Sequence, residues 1–427
     1  MRKIEAPARP KAPETRASAQ ELKDFLDAHP EIEAFDLMLI DPHGIARGKI
    51  VRRHEIEGIW ENGRNLPGSI LGLDVTGEDV DETGLVWSEG DADRCAWPLS
   101  GSLVPSLWTD PPRGQFRVAL HEMDGRPVWA DPRHVLQRQI DALAARGMSA
   151  ISAFELEFYL IDAERETLEP EPLRLPLTGR HPYGTNVYCV EELDRLEPFS
   201  RDLYRAAEAQ GLPVETLISE YAPGQFELTL HHGDVMQAAE NLLALKHLLR
   251  GVARRHGMQA CFMAKPFANR AGSGMHLHAS LCDSAGRNLF ADRDGHLSPD
   301  LLAAISGLLY TVSESMLVMA PHNNSWRRFS AQSYAPTVPN WASTIAASRC
   351  ACRPVRRAAG IWNSVSPVLT PIPSSSPPSR SPPWCVGWTA SATPARRPRA
   401  TVRQRVPPRR CRAPGRKRSR LRKAQAS

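Results

Sequence analysis

Residues 151–160 read Ile-Ser-Ala-Phe-Glu-Leu-Glu-Phe-Tyr-Leu, and this decapeptide decides the fold. Side chains alternate between the two faces of a strand. Phe154, Leu156 and Phe158 therefore point one way, and Glu155 and Glu157 the other, beside Ala153 and Tyr159. Two later stretches repeat the pattern. In one, Phe226, Leu228 and Leu230 oppose Gln225, Glu227 and Thr229; in the other, Met275 and Leu277 oppose His276, His278 and Ser280. A single half-exposed strand shows such alternation without any chemistry. Three strands with acids or imidazoles two residues apart ask for more, because carboxylates paired on one face repel unless a cation sits between them. Oxygen-rich ligands with one or two imidazoles suit Mg²⁺ or Mn²⁺ rather than zinc.

The surrounding chain predicts an α+β protein with antiparallel strands. Ser18 can cap a helix, with Glu21 completing a capping box, and that helix should end near Pro30. Residues 34–40 and 45–52 read as a hairpin around Asp41-Pro42-His43-Gly44. Residues 65–130 read as a small sheet-rich region. Asp131-Pro132-Arg133 opens a helix through Ala145, and further helices are expected over Ser200–Gln210, Asp234–Arg254 and Ser298–Met319. Two strands should flank a turn at Ala222-Pro223-Gly224. The Gly44 to Gly48-Lys49 spacing ends in Ile50 and is not a Walker A loop, so magnesium and nucleotide chemistry would need another scaffold.

Composition sets the outer limits. The chain has 427 residues, 42% hydrophobic and 24% charged, which is ordinary for a soluble protein of two or three domains. No stretch approaches 18 uninterrupted apolar residues, and Met1–Pro7 lack the apolar core of a signal peptide, so a cytoplasmic protein without membrane partners is expected. The four body cysteines, Cys95, Cys189, Cys261 and Cys282, fit neither a zinc site nor a disulfide framework. The net charge of +5 hides an asymmetry. Residues 342–427 hold 17 Arg and 2 Lys with no Asp or Glu, which leaves 34 Lys+Arg against 48 Asp+Glu in residues 1–341. An acidic body of −14 thus carries a basic tail of +19, and the overall charge does not mark the whole chain as a nucleic-acid binder.

Four motifs resemble the glutamine synthetase family. They are Ala153–Phe158; Ser219-Glu220-Tyr221-Ala222-Pro223-Gly224-Gln225-Phe226-Glu227; Ala271-Gly272-Ser273-Gly274-Met275-His276-Leu277-His278-Ala279-Ser280-Leu281, preceded by Lys265-Pro266; and Asn324-Ser325-Trp326-Arg327-Arg328-Phe329. The resemblance covers roughly residues 20–341. Residues 1–17, rich in Pro, Ala and charge, read as disordered. The resemblance implies a β-grasp N-terminal domain over 18–127, and a catalytic domain with an open antiparallel barrel over 128–341. It also implies active sites between subunits of a homo-oligomeric ring, commonly two stacked hexamers. By position, Glu157, Glu220 and Glu227 would bind the metal that holds glutamate, and Glu155 and His276 the metal that bridges the ATP phosphates. Glu215, His278 and Ser280 would contact ATP, and Gly272 and Arg328 would hold glutamate, with Arg328 acting in catalysis. The implied reaction is ATP-dependent: the γ-carboxylate of glutamate takes the γ-phosphate, and an amine then displaces phosphate to form an amide.

One departure bears on that amine. Ammonia-using members place a flap Glu, followed by Ala-Pro, six residues after the Arg that matches Arg328. Here the position is Tyr334, followed by Ala335-Pro336. A Tyr carries no charge at pH 7 to hold ammonium. The departure favours the γ-glutamylpolyamine synthetases, which share the Glu-Tyr-Ala-Pro-Gly-Gln form of the second motif. Glutamine synthetase itself is the alternative. His231-His232 read as surface residues, and Tyr188 as a residue near the site.

After Trp341 the family pattern stops. It should continue as Gly-Val-Asp-Asn-Arg-Ser-Val-Ala-Leu-Arg-Val-Pro. Written in GC-rich codons with the first G dropped, that segment translates into residues 342–353 as they stand. A second family segment, Leu-Glu-Phe-Arg-Leu-Ala-Gly-Ala-Asp-Ala-Asn-Pro, read one nucleotide late, can give Trp362–Pro373. A one-nucleotide deletion near codon 342 accounts for both, and for a disordered tail without acids. It predicts that two phosphate-binding Arg, a Glu for the ATP-side metal and an Arg for glutamate are lost, and that the chain as written is inactive. The rival is a genuine basic tail that binds nucleic acid or membrane.

Overall fold

Ser18 starts the first helix as its spacing predicts: its hydroxyl accepts from the Glu21 backbone N–H at 3.1 Å, opening α1 (Ala19–Ala28). The reciprocal half of the box is absent. The Glu21 carboxylate instead accepts from Gly101 N and Ser100 Oγ, tying α1 to a loop eighty residues away. The structure is a computed structural model that describes residues 10–88, 90–164, 172–182, 184–291, 296–330, 333, 335–339, 341–342 and 350–351. Of residues 10–17, expected to be disordered with the rest of the N-terminus, the last two are tied to the body. Ala17 is buried and donates to Pro98 O, and the Arg16 guanidinium lies over the Trp97 ring and bonds Trp60 O.

The N-terminal unit is one six-stranded sheet. β1 (Ala34–Ile40) and β2 (Ala46–Arg52) form the expected hairpin, and α2 (Arg53–Asn62) follows. β3 (Arg64–Pro67), β4 (Asp93–Pro98), β5 (Val104–Ser106) and β6 (Arg113–His121) complete it. The order is β2-β1-β6-β4-β3, with β5 also on β6 and the β1–β6 pair parallel. Leu22 and Phe25 of α1 and Ile56, Ile59 and Trp60 of α2 bury one face of it against Phe35, Leu37, Leu39, Phe116 and Leu120.

Asp131 begins α3 (Pro132–Ala144), accepting from Arg133 N through one oxygen and from Leu120 N through the other. The helix is thereby pinned to β6. Beyond it runs β7 (Met148–Asp162), then α4 (Val190–Asp194), α5 (Glu197–Ala209), β8 (Val214–Ser219), β9 (Gln225–Leu230), β10 (Gly233–Asp234), α6 (Val235–Arg255), β11 (Met258–Cys261) and β12 (Met275–Asp283). α7 (Pro299–Met319), α8 (Asn323–Trp326), β13 (Trp341–Ala342) and β14 (Cys350–Ala351) close the described chain. β7 is the spine of a curled sheet. One edge pairs with β9 and β10, the other with β12 and β11, and β8 extends β9.

Phe154, Leu156, Phe158, Phe226, Leu228 and Leu230 bury the apolar face against Phe199 and Leu203 of α5 and Leu242, Leu245 and Leu249 of α6. Each such side chain contributes on the order of 1.5–3 kcal/mol. The polar face is left for the site. At the seam between the two units, buried Glu240 of α6 accepts from Arg133 at 2.8 Å and Arg117 at 3.4 Å. One difference concerns α7. By length and composition this helix is apolar enough to cross a membrane, which the sequence reading did not expect of any segment. Through Leu301 and Ile305 it packs on Phe290.

Candidate active site

Strand register assembles the site. β12 places His276 directly opposite Glu155 of β7, and β9 places Glu227 directly opposite Glu157. His276 Nδ1 lies 3.0 Å from Glu155 Oε2 and 3.9 Å from Glu227 Oε2, and His278 Nε2 lies 2.9 Å from Glu155 Oε1. The ligand atoms of Glu155, Glu227 and His276 all fall within 4.8 Å of one another, which fits a metal ion. Glu220 directly follows β8 at the mouth of the Ala222-Pro223-Gly224 turn, its N–H bonded to Gln225 O.

Glu157 is held in place from two sides. Gly274 N donates to Glu157 Oε2 at 2.9 Å, and Gln225 Nε2 donates to the same oxygen at 3.3 Å and to Gly272 O at 3.1 Å. Arg328 arrives from the segment after α8. A methyl group at Gly274 would meet Arg328 Nη2 at 3.0 Å and Glu157 Oε1 at 3.4 Å. The two glycines of the third motif therefore clear space for the Arg328 side chain beside the carboxylates.

The charges are unbalanced. Burial and the neighbouring carboxylates of Glu155 and Glu157 push Glu227 up to about 8. Burial and Glu157 also raise Glu220. Burial would raise Glu155 too, but the His276 and His278 imidazoles outweigh it and hold this carboxyl well below its usual range. Burial opposes protonation of His276, and Glu155 overcomes it, so His276 rises. Four carboxylates against two imidazoles form an oxygen-rich donor set, and divalent ions with a preference for oxygen fit it.

The structure brings together Glu155, Glu157, Glu220, Glu227, His276, His278, Gly272 and Arg328. Ser280 continues the same face of β12, opposite Ile151, and is buried. Glu215 is drawn elsewhere: a bulge between Val214 and Leu217 turns it out, and its carboxylate lies 2.6 Å from His231. The two surface histidines thus have a partner the sequence reading did not give them. Tyr188 is tied by its N–H to Ser219 O, next to Glu220, with its side chain 71% exposed. Tyr334 lies outside the described residues.

Two functional contacts were missed. Gln225 bridges Glu157 and Gly272, which its place two residues before Glu227 on the same face could have suggested. Asn324 pairs with both backbone groups of Lys265, donating to the carbonyl and accepting from the N–H, each at 2.8 Å. It fastens the Arg328 segment to the Gly272 loop, and nothing local in the sequence signals that.

Known proteins resemble this chain over much of its length. Residues 129–353 match the family described as glutamine synthetase, catalytic domain. The chain is 37% identical over 332 residues to γ-glutamylputrescine synthetase PuuA of Escherichia coli, covering 77% of this chain and 70% of that protein. It is 26% identical over 334 residues to glutamate–isopropylamine ligase of a Pseudomonas species, covering 77% and 72%. It is 32% identical over 281 residues to glutamine synthetase of Thermus thermophilus, covering 64% and 60%. Among solved structures, a GmaS complex with ADP superposes with a TM-score of 0.69 at 24% identity over 88% of this chain and 83% of that one, which shows the fold. The chain belongs to the glutamine synthetase family.

Proposed function

We propose that this lineage is an ATP-dependent ligase that joins the γ-carboxylate of glutamate to an amine, with a polyamine such as putrescine as the acceptor. One observation carries the reading: Glu155 opposite His276 and Glu157 opposite Glu227 put acids and an imidazole on one face, with Arg328 across Gly272 beside them. Glu157, Glu220 and Glu227 would hold one Mg²⁺ or Mn²⁺ ion, and Glu155 with His276 another. When bound, such ions would draw negative charge off the phosphates of ATP. Arg328 would pair with a carboxylate of glutamate and fix its orientation. Gln225 and Gly274 N hold Glu157 so that its oxygens face the shared cavity. His278 and Ser280 line the ATP side, as does Glu215 if its contact with His231 opens.

The acceptor is argued from Tyr334, which replaces a flap carboxylate, and from the 37% identity to the putrescine relative. Glutamine synthetase is the second reading, favoured by the 32% identity to the Thermus protein. We read residues 342–427 as out of frame and the chain as written as inactive, because no acidic residue lies beyond Trp341 to supply the ATP-side Glu. An intact member would assemble as a homo-oligomeric ring of two hexamers in the cytoplasm, and no nucleic acid enters this reading. The test restores one nucleotide near codon 342 and measures ADP release with putrescine, isopropylamine and ammonia supplied separately. Putrescine-dependent release supports the reading. Release with ammonia alone moves the chain to glutamine synthetase. Amine-dependent release by the unrestored chain overturns the inactivity.

A further inference from the structure

We infer that Gln225 is a positioning residue that couples the carboxylate cluster to the loop beside it: a cation held by Glu157 tightens, through Gln225, the Gly272–Gly274 backbone that makes room for Arg328. The inference deepens the proposed function and rests on its reading of Glu157 as a metal ligand. Gln225 is 2% exposed and lies diagonally across the β7–β9 ladder from Glu157, its direct partner being Tyr159. A long side chain reaches such a diagonal neighbour. The partners of the Gln225 amide fix which way it points. Ala222 N can only donate, and it faces Oε1 at 3.3 Å; Gly272 O can only accept, and it faces Nε2 at 3.1 Å. Nε2 also lies 3.3 Å from Glu157 Oε2 and 3.5 Å from Ser273 Oγ. Its two N–H groups are thus shared among three acceptors. One buried amide joins the carboxylate on β7, the turn that follows Glu220, and the loop whose glycines lie against Arg328.

The sharing gives the coupling its direction. Glu157 Oε2 already accepts from Gly274 N at 2.9 Å. As an anion it is the strongest of the three acceptors of Nε2, so it draws the amide away from the loop. When a cation takes up the charge of Glu157, the carboxylate pulls less on N–H groups. The Gln225 donors then turn toward Gly272 O and Ser273 Oγ, and the loop tightens. The coupling runs both ways: a loop that has drawn Gln225 to itself leaves Glu157 freer to hold the cation. Ser273 N, which donates to Ala264 O at 2.9 Å across the base of the loop, is the amide whose hydrogen exchange reports the tightening. A second bond ties the same loop independently of the carboxylates, since Tyr159 OH donates to Ala271 O at 2.7 Å.

The experiment uses the full chain as it exists, with Mn²⁺ alone as the probe. Calorimetry measures Mn²⁺ binding, and hydrogen exchange of peptides within 264–273 is followed without the ion and at saturation. In the native protein Mn²⁺ should slow exchange at Ser273 several-fold. Gln225→Met, which keeps the length of the side chain and removes its donors, should weaken Mn²⁺ binding by about tenfold. At saturating Mn²⁺ its loop should exchange as fast as without the ion. Tyr159→Phe is the control for simple loosening. It should speed loop exchange in both conditions yet keep the native difference between them and the native Mn²⁺ affinity. The inference is overturned if Gln225→Met retains the native Mn²⁺-dependent slowing, or if Tyr159→Phe abolishes it as well. If Gln225→Met does not fold, Gln225→Asn takes its place, because the shorter amide cannot span Ala222 N and Gly272 O, and the same outcomes decide. Native protein that binds Mn²⁺ without slower exchange at Ser273 sinks the coupling and leaves the metal reading standing. Native protein that binds no Mn²⁺ sinks the metal reading and the coupling together.

Discussion

Arg328 lies across Gly272: a methyl group there would come within 2.9 Å of Arg328 Cβ and 2.7 Å of the Ala264 carbonyl oxygen. Neither neighbour is the free end of a flexible side chain. Gly272→Ala should therefore displace the Arg328 segment at a cost of about 1–3 kcal/mol. In a frame-restored protein the glutamate KM should rise at least tenfold while the apparent affinity for ATP changes little. Unchanged glutamate kinetics would remove Arg328 from the glutamate site.

Asn324 closes the same arrangement from the other side. Asn324→Ala leaves the N–H and the carbonyl of Lys265 without their partner, at a cost of about 1–3 kcal/mol. Urea unfolding of the existing chain should show the loss. A change within 0.3 kcal/mol would mean that solvent replaces both bonds.

The carboxylate cluster predicts opposite signs with and without metal. Burial and the charges of Glu155 and Glu157 push Glu227 up to about 8, so Glu227→Gln relieves repulsion only above that pH: there the metal-free variant should melt higher than the native protein, and at about pH 6 the two should melt alike. The stabilisation that millimolar Mn²⁺ gives the native protein should shrink or vanish in the variant. Equal Mn²⁺ shifts in both would place the ion elsewhere.

Buried histidines set the acid limit of stability. Burial, followed by the charges of Arg250 and Arg254, lowers His247 to about 4, and burial, with a smaller contribution from Arg133, lowers His134 to about 4. In the unfolded chain both titrate near 6.5. The unfolded state therefore takes up protons first as pH falls, and stability is lost between about pH 6.5 and 4. The stabilisation is fully present above that window. Each histidine should contribute a slope of about 1.4 kcal/mol per pH unit there. His247→Gln should flatten the profile of urea midpoints measured from pH 7.5 to 5, and an unchanged slope would contradict the assignment.

Gly251 sits inside α6, where Ala is ordinarily better by about 1 kcal/mol. Its added methyl would run into the Trp108 indole. Gly251→Ala should lower Tm, and it should raise Tm once Trp108→Leu has opened the space.

Much of this was legible in the chain. Alternation of Phe154, Leu156 and Phe158 with Glu155 and Glu157 fixes a strand with a core face and a polar face, because side-chain direction is a local property of extended backbone. The caps Ser18 and Asp131 and the turn at Ala222-Pro223-Gly224 are local too, and the helices and strands begin and end close to where they predict. The tail announces itself by composition. What no local pattern contains is which residue faces which. That Glu155 meets His276 rather than Glu227 depends on the register of strands more than a hundred residues apart, and a slip of one residue would turn every ligand into the core. The bulge that sends Glu215 to His231, the grip of Asn324 on Lys265 and the reach of Gln225 to Gly272 are likewise decided by packing. Each arises because backbone polar groups and apolar surface must find partners across the whole molecule, and only the folded chain settles which ones they find.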